Sequence, residues 1–235
     1  MIQHPDILRR FTLETTEHVM TVAHDDGLYR HLKFRHTGKN YSGYYWFDLI
    51  TVPGSLIFRG DGESFVFARL PDMFEFFRES AYNGQPNPTY WDEKVTSDQD
   101  SLKKFSYDKF VARVKEEFIE TARNGGVPPG TGKALLELAE DYDLHYEVNA
   151  RQFLDDFEHD GFSFYDVCEW DFRDYDWWFL WACQAIVWGI AYYDTGVRPP
   201  LPDLPAEQAR AAKASRPPRI VDVHLPEPVT EALTS

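Results

Sequence analysis

The sequence predicts an α+β fold: an N-terminal antiparallel β-meander packed against a C-terminal helical part, followed by a Pro-rich tail. Three observations predict it. Residues 15–70 hold alternating and β-branched runs divided by Gly-containing turns, residues 71–196 hold apolar positions at helical spacing, and the composition changes from Val197 onward. Strands that precede helices in this way argue for a sheet covered on one face. Eight of the fifteen prolines lie between Pro199 and Pro228. The expected organisation is therefore one domain over residues 1–196 and an extended, weakly ordered tail over 197–235.

The first hairpin joins His18–His24 to Leu28–Phe34, because Asp25-Asp26-Gly27 between them supplies the positive φ that a tight turn needs. Tyr44–Val52 is aromatic and β-branched, Pro53-Gly54 marks a turn, and Ser55–Arg59 with Ser64–Arg69 form a second hairpin across Gly60-Asp61-Gly62. Pro71-Asp72 then opens a helix carrying Phe74, Phe77 and Ala81. Asn83–Thr89, with Gly84, Pro86 and Pro88, reads as a loop. Helices follow over Tyr107–Asn124, ended by Gly125-Gly126, over Thr131–Asp141 with Thr131 as N-cap, and over Asn149–His159, stopped by Gly161. Trp177–Tyr193 is the longest apolar run, interrupted by Gln184 and Gly189 and flanked by Asp174, Asp176 and Asp194. It falls short of the roughly 20 residues that span a bilayer, and a helix apolar all round fits a central position covered on most sides. In the tail, Ile220-Val221-Asp222-Val223 has the composition of a strand that pairs with an exposed edge.

With 43% apolar and 16% aromatic residues the chain can bury a sizeable core. A pI near 4.9 disfavours direct nucleic-acid binding and anionic membrane surfaces, so the expected partners are neutral or basic. Cys168 and Cys183 are too few for a disulfide scaffold and lack CxxC spacing, which points to buried thiols in a reducing compartment. Met1–Arg10 has no apolar core of a secretory signal.

Few motifs carry chemistry. Gly126-Val-Pro-Pro-Gly130-Thr-Gly132-Lys133-Ala134 fails as a phosphate loop, since Ala134 stands where a Mg²⁺-binding hydroxyl is required and a helix precedes it. No GxSxG elbow is present. His145-Tyr-Glu147 and Asp155-Asp156-Phe157-Glu158-His159 bring possible metal donors together, and a helix would put Asp155 and His159 on one face. An ordinary charged helix surface is the favoured reading, and no metal or other cofactor is assigned. His18, His24, His31 and His36 read as solvent-side strand residues without a carboxylate partner. Trp177, Trp178, Trp181 and Trp188 lack nearby cations and read as core.

The most informative stretch is 141–176. It holds twelve carboxylates, Asp141, Asp143, Glu147, Asp155, Asp156, Glu158, Asp160, Asp166, Glu169, Asp171, Asp174 and Asp176, against Arg151 and Arg173, a local charge of −10 out of −15. Aromatics run through it, so an acidic face on a hydrophobic backing is expected in place of a disordered tail. Carboxylates at this density imitate the phosphate array of nucleic acid, and these twelve are the expected partner-binding residues.

The chain also resembles a family of phage- and prophage-encoded proteins. The resemblance covers roughly residues 15–195 and rests on Asp26-Gly-Leu-Tyr-Arg-His-Leu-Lys-Phe-Arg35, Phe47-Asp-Leu-Ile-Thr-Val-Pro-Gly54, Gly60-Asp-Gly62 leading into Ser64-Phe-Val-Phe-Ala-Arg69, Asp72-Met-Phe-Glu-Phe-Phe-Arg78, Asp171-Phe-Arg-Asp-Tyr175 and Ala185-Ile-Val-Trp-Gly-Ile190. It implies viral origin and expression in a bacterial cytoplasm, and it transfers no catalytic residue to this chain. Small acidic phage accessory proteins frequently bind a host machine, many of them against host defence. The leading expectation is an acidic, DNA-mimicking inhibitor of a host nucleic-acid-processing or immune complex, without direct contact to nucleic acid or membrane. Two alternatives stand beside it: a metal-dependent enzyme acting on a nucleotide or signalling molecule, and an assembly protein that oligomerises.

Overall fold

Alternation over residues 18–68 produces five strands, and helical spacing elsewhere produces helices around them. In the computed structural model, which describes residues 5–38 and 43–200, helix α1 (Pro5–Thr15) leads into β1 (His18–Asp26), β2 (Tyr29–His36), β3 (Phe47–Val52), β4 (Ser55–Gly60) and β5 (Ser64–Ala68). Helices α2 (Met73–Asn83) and α3 (Pro88–Trp91) follow, then β6 (Lys103–Phe105), α4 (Tyr107–Arg123), α5 (Thr131–Ala139) and α6 (Glu147–Asp156). The short strands β7 (Glu158–His159), β8 (Phe162–Ser163) and β9 (Arg173–Tyr175) precede the last helix, α7 (Trp177–Thr195). The fold is α+β, with the antiparallel sheet at the N-terminus and the helical part after it. The expected strand Ile220–Val223 lies outside the described residues.

Contacts divide the chain into two compact units. One comprises the described part of Met1–Ser97 with Trp177–Ser235, the other Asp98–Asp176. Helix α7 thus belongs with the sheet.

In the first unit the strands run antiparallel in the order β1-β2-β3-β4-β5. Asp26 faces Tyr29 across the first turn, where Gly27 takes φ 61°, a conformation that costs a glycine nothing. One sheet face presents Leu32, Phe34, Phe47, Leu49, Leu56, Phe58, Phe65 and Phe67, all buried. Helix α7 covers this face: residues 179 to 190 are buried without interruption, as an all-apolar helix requires. Trp181 packs on Phe11, Phe47 and Phe58, and Trp188 on Phe11 and Phe34. Burying each such ring contributes about 1.5–3 kcal/mol. Close approach is possible because a Cβ on Gly189 would meet Leu49 Cδ1 at 2.7 Å and Phe34 Cζ at 3.0 Å. Arg30, only 9% exposed, pairs bidentately with Asp72 at 2.9 Å, and Asp72 also accepts from the Phe74 amide as the N-cap of α2.

Several local expectations change. Helix α1 was not read from the sequence. Asp72 caps α2 with Pro71 just outside it, and the expected loop at 83–89 gives way at Pro88 to α3, capped by Asn87. The N-cap of α5 is Gly130 at φ 90°, whereas the Thr131 hydroxyl donates to the Pro128 carbonyl. Helix α6 ends at Asp156, because Asp160-Gly161 forms a two-residue turn that pairs β7 with β8. Asp155 and His159 therefore do not share a helix face.

The second unit has its own core, built on Phe110, Phe153, Leu154, Phe157, Phe162, Phe164, Trp170 and Phe172. Strands β6 and β9 pair antiparallel, Lys103 opposite Tyr175.

Candidate functional sites

The second unit contains all twelve carboxylates of the 141–176 stretch. Counted over Asp98–Asp176 it has twenty acidic and nine basic side chains, a formal charge of −11 out of the chain's −15. Backbone path explains how they are displayed. From α6 through β8 to β9, buried Phe153, Leu154, Phe157, Phe162, Phe164, Val167, Trp170 and Phe172 alternate with outward residues, so each apolar anchor leaves its acidic neighbours in water. Asp141, Asp143, Asp155, Asp156, Glu158, Asp160, Asp166, Glu169, Asp171 and Asp174 are exposed, and Glu147 and Asp176 are half-buried.

The twelve fall into two groups. Glu147 is a structural knot: it accepts from Arg151 Nη2 at 2.9 Å and from Arg173 Nε at 3.0 Å, so both arginines of the stretch converge on one carboxylate. Burial alone would raise its pKa, but the two guanidiniums outweigh burial and hold it below the usual carboxylate range. Arg151 also donates to the Val167 and Trp170 carbonyls, tying α6 to the following loop. Asp176 pairs with Lys104 at 2.7 Å and Asp171 with Lys109 at 2.9 Å. Asp156 accepts from the Tyr142 hydroxyl and from Gln152, which together lower its pKa. Asp141, Asp143, Asp155, Glu158, Asp166, Glu169 and Asp174 have no ion-pair partner among the described residues. These seven, with Asp156 and Asp160, make up the uncompensated acidic surface.

Among the described residues no metal centre is built from the expected donors. His145 packs against Tyr107 with ring centroids 4.6 Å apart, His159 Nε2 lies 3.4 Å from the Pro129 carbonyl, and no three His, Cys, Asp or Glu side chains among the described residues are placed to hold one ion. Cys183 is buried and its thiol pKa is driven up by that burial, whereas Cys168 is exposed, contrary to the expectation of two buried thiols.

A second cluster lies in the first unit and was missed by sequence reasoning. Asp48 is fully buried on β3, the central strand of the sheet, with Arg59 Nη2 at 2.6 Å and His31 Nε2 at 3.1 Å from Oδ2. Arg35 Nη2 is 2.7 Å from Oδ1, at an angle that leaves Oδ1 without a well-aligned hydrogen bond. Burial pushes the Asp48 pKa up, and the His31 and Arg59 hydrogen bonds together with the Arg35 charge more than reverse it. The indole of Trp46 lies against both guanidiniums, 4.7 Å from Arg35 and 5.5 Å from Arg59. His31 thus has a carboxylate partner after all. His18 is no solvent-side residue either: it is wholly buried, its Nε2 donates to the Tyr45 carbonyl at 3.0 Å, and burial lowers its pKa to about 4. Cross-strand register was the signal available, because Lys33, Asp48 and Arg59 are direct neighbours on one face of three successive strands.

Comparison with protein-family models, curated proteins and solved structures finds no match for this chain. Among the described residues no helix is long and apolar enough to cross a membrane.

Proposed function

We propose that the protein is a non-enzymatic binding protein whose second unit captures a cationic, nucleic-acid-handling surface of another protein. Its contact residues are the nine uncompensated carboxylates of the 141–176 stretch. The observation that carries this reading is their mounting: nine acidic side chains project from backbone whose alternate positions are anchored in an aromatic core. A negative array held on a packed support loses little conformational freedom on binding, which favours capture over a merely solubilising charge. Glu147 and Asp176 support the surface from within, since their partners fix α6 and β9. The resemblance to phage-encoded proteins makes a complex of a bacterial host, met in its cytoplasm, the expected target.

Affinity capture tests the reading. The chain is immobilised and exposed to nuclease-treated bacterial lysate beside a variant carrying Asp155→Lys, Asp156→Lys, Glu158→Lys and Asp160→Lys. The wild type should retain nucleic-acid-binding proteins that the reversed variant releases, with retention falling as salt rises. Equal retention by both would show that this surface is not the contact.

A further inference from the structure

The five-stranded sheet closes one of its edges and leaves the other open. Along β5 the chain returns after α3: the Thr96 amide donates to the Val66 carbonyl at 2.7 Å, the Val66 amide donates to the Ser97 hydroxyl at 3.2 Å, and Phe67 bridges to Val95. Nothing comparable occurs along β1. Every second N–H and C=O of an edge strand points away from its neighbour. Among the described residues only β2 hydrogen-bonds the β1 backbone. At nine residues β1 is also the longest strand of the sheet, and it carries neither Pro nor Lys to blunt the edge. The irregularity after Val22 and the charges of Asp25 and Asp26 break up its second half, which leaves His18–Val22 as a continuous edge without a formal charge.

The apolar side chains of this edge are incompletely covered. Register puts Met20 opposite Phe34 and Val22 opposite Leu32, on the face that α7 covers, yet Val22 is 46% exposed. The core face therefore ends along β1 in an uncovered apolar strip. The described chain leaves the fold beside the start of that strip: Arg198 donates to the Thr15 carbonyl at 2.9 Å and to the Thr16 carbonyl, two residues before β1 begins, and the Pro199 carbonyl accepts from the Trp188 indole. Nineteen residues separate Pro200 from Ile220, about 60 Å of extended chain against about 17 Å for the His18–Val22 edge. Ile220-Val221-Asp222-Val223 has what the edge lacks. At the strand period of two, Val221 and Val223 share one face, and Ile220 and Asp222 share the other. Pro218 before the run and Pro226 after it cannot extend a ladder, and Asp222 adds a charge, so a strand formed here would be too short and too polar to template another chain. A second copy is the weaker occupant of the edge: two chains of net charge −15 repel, whereas a tethered segment acts at an effective concentration on the order of millimolar.

We infer that the β1 edge is a docking site for the chain's own Ile220–Val223, which adds to the sheet as a sixth strand with Val221 and Val223 beside Met20 and Val22 on the core face. Main-chain hydrogen bonds supply the attachment, and the two valines supply the specificity. The inference does not rest on the acidic surface or on its proposed partner.

Hydrogen exchange of the full chain, read by mass spectrometry on peptides covering residues 18–26 and 219–225, is the test, with a variant carrying Val221→Asp and Val223→Asp beside the wild type. In the wild type, amides of the 219–225 peptide should exchange about tenfold or more slowly than those of an unstructured peptide of the same sequence. The variant should lose that protection and speed exchange of the β1 peptide at the same time. Val229→Asp with Leu233→Asp adds the same charge beyond Pro228 and should change neither peptide. Circular dichroism verifies that each variant keeps the fold. Protection supplied by the same chain should not change with protein concentration. Unprotected exchange of 219–225 in the wild type, unchanged β1 exchange in the Val221/Val223 variant, equal loss in the Val229/Leu233 variant, or protection that rises with protein concentration would each overturn the inference. The last outcome would give the edge to a second copy.

Discussion

Asp48 and His18 are polar residues on strands of the sheet, yet both are fully enclosed, and each depends on its partners in a different way. Asp48 must stay charged, because three cationic or protonatable groups converge on it. Asp48→Ala leaves Arg35 and Arg59 facing each other without an anion, and the expected loss is about 2–3 kcal/mol, less than for a fully buried pair because Arg59 can turn to water. Chemical denaturation at neutral pH measures it. His18 must stay neutral: its Nδ1 is buried without a hydrogen-bond partner, and a proton there would be stranded. Its folded pKa of about 4 lies below the ordinary 6.5, so the unfolded chain binds the proton more readily between those values. The stabilisation from neutral His18 is complete above pH 6.5 and lost as pH falls toward 4, on the order of 3 kcal/mol. Denaturation of the wild type and His18→Gln across that range should show the gap between them closing as pH falls; a constant gap would contradict it. Neither role is legible in the residues alone. His18, His24, His31 and His36 are alike in sequence, and only the pairing of β1 with β2, with its irregularity between Val22 and His24, sends His18 inward and His24 outward.

Elements were read best where one periodicity ran long. The alternation of 28–34 and 47–52 and the continuous apolar run of 177–193 gave the meander and its covering helix, because burial on one face or all round leaves an unambiguous pattern. Helix α1 escaped because only Ile7, Phe11 and a few neighbours are buried along it, in a polar segment. The β7–β8 hairpin escapes because Gly161 after a polar run reads as a helix stop, although Asp160-Gly161 is equally a tight-turn signal. The tight seat of α7 leads to a direct expectation. Gly189→Ala places a methyl group against Leu49 and Phe34 in the packed centre, costing about 1–3 kcal/mol, readable as a lowered thermal midpoint. Asp72→Ala removes the cap of α2 and strands buried Arg30 at once, so its cost should exceed that of Asn87→Ala, which removes only the cap of α3. Equal effects would mean that the Arg30 pair contributes nothing beyond capping.

At the scale of the whole chain, charge is partitioned. The acidic stretch was legible, since composition alone located it and the aromatic spacing foretold its packed backing. What composition could not show is which carboxylates are consumed internally: Glu147 looks like its neighbours in sequence, and only the fold brings Arg151 and Arg173 to it. Nor could an overall pI reveal that Arg35 and Arg59 converge on Asp48, because the sum of charges conceals where each one points. Glu147→Gln should therefore lower stability by about 1–2 kcal/mol, by weakening two ion pairs at once, whereas Asp155→Asn and Glu158→Gln should leave it within about 0.5 kcal/mol. Denaturant midpoints of the three variants distinguish a supporting carboxylate from displayed ones.

The most direct test of nucleic-acid mimicry is competition. Proteins retained by the immobilised chain from nuclease-treated lysate are challenged with increasing short duplex DNA, and release is followed against a neutral polymer. Release in proportion to added duplex, absent with the polymer, is the predicted result; retention that persists under saturating duplex would contradict the claim that this acidic surface occupies a nucleic-acid groove.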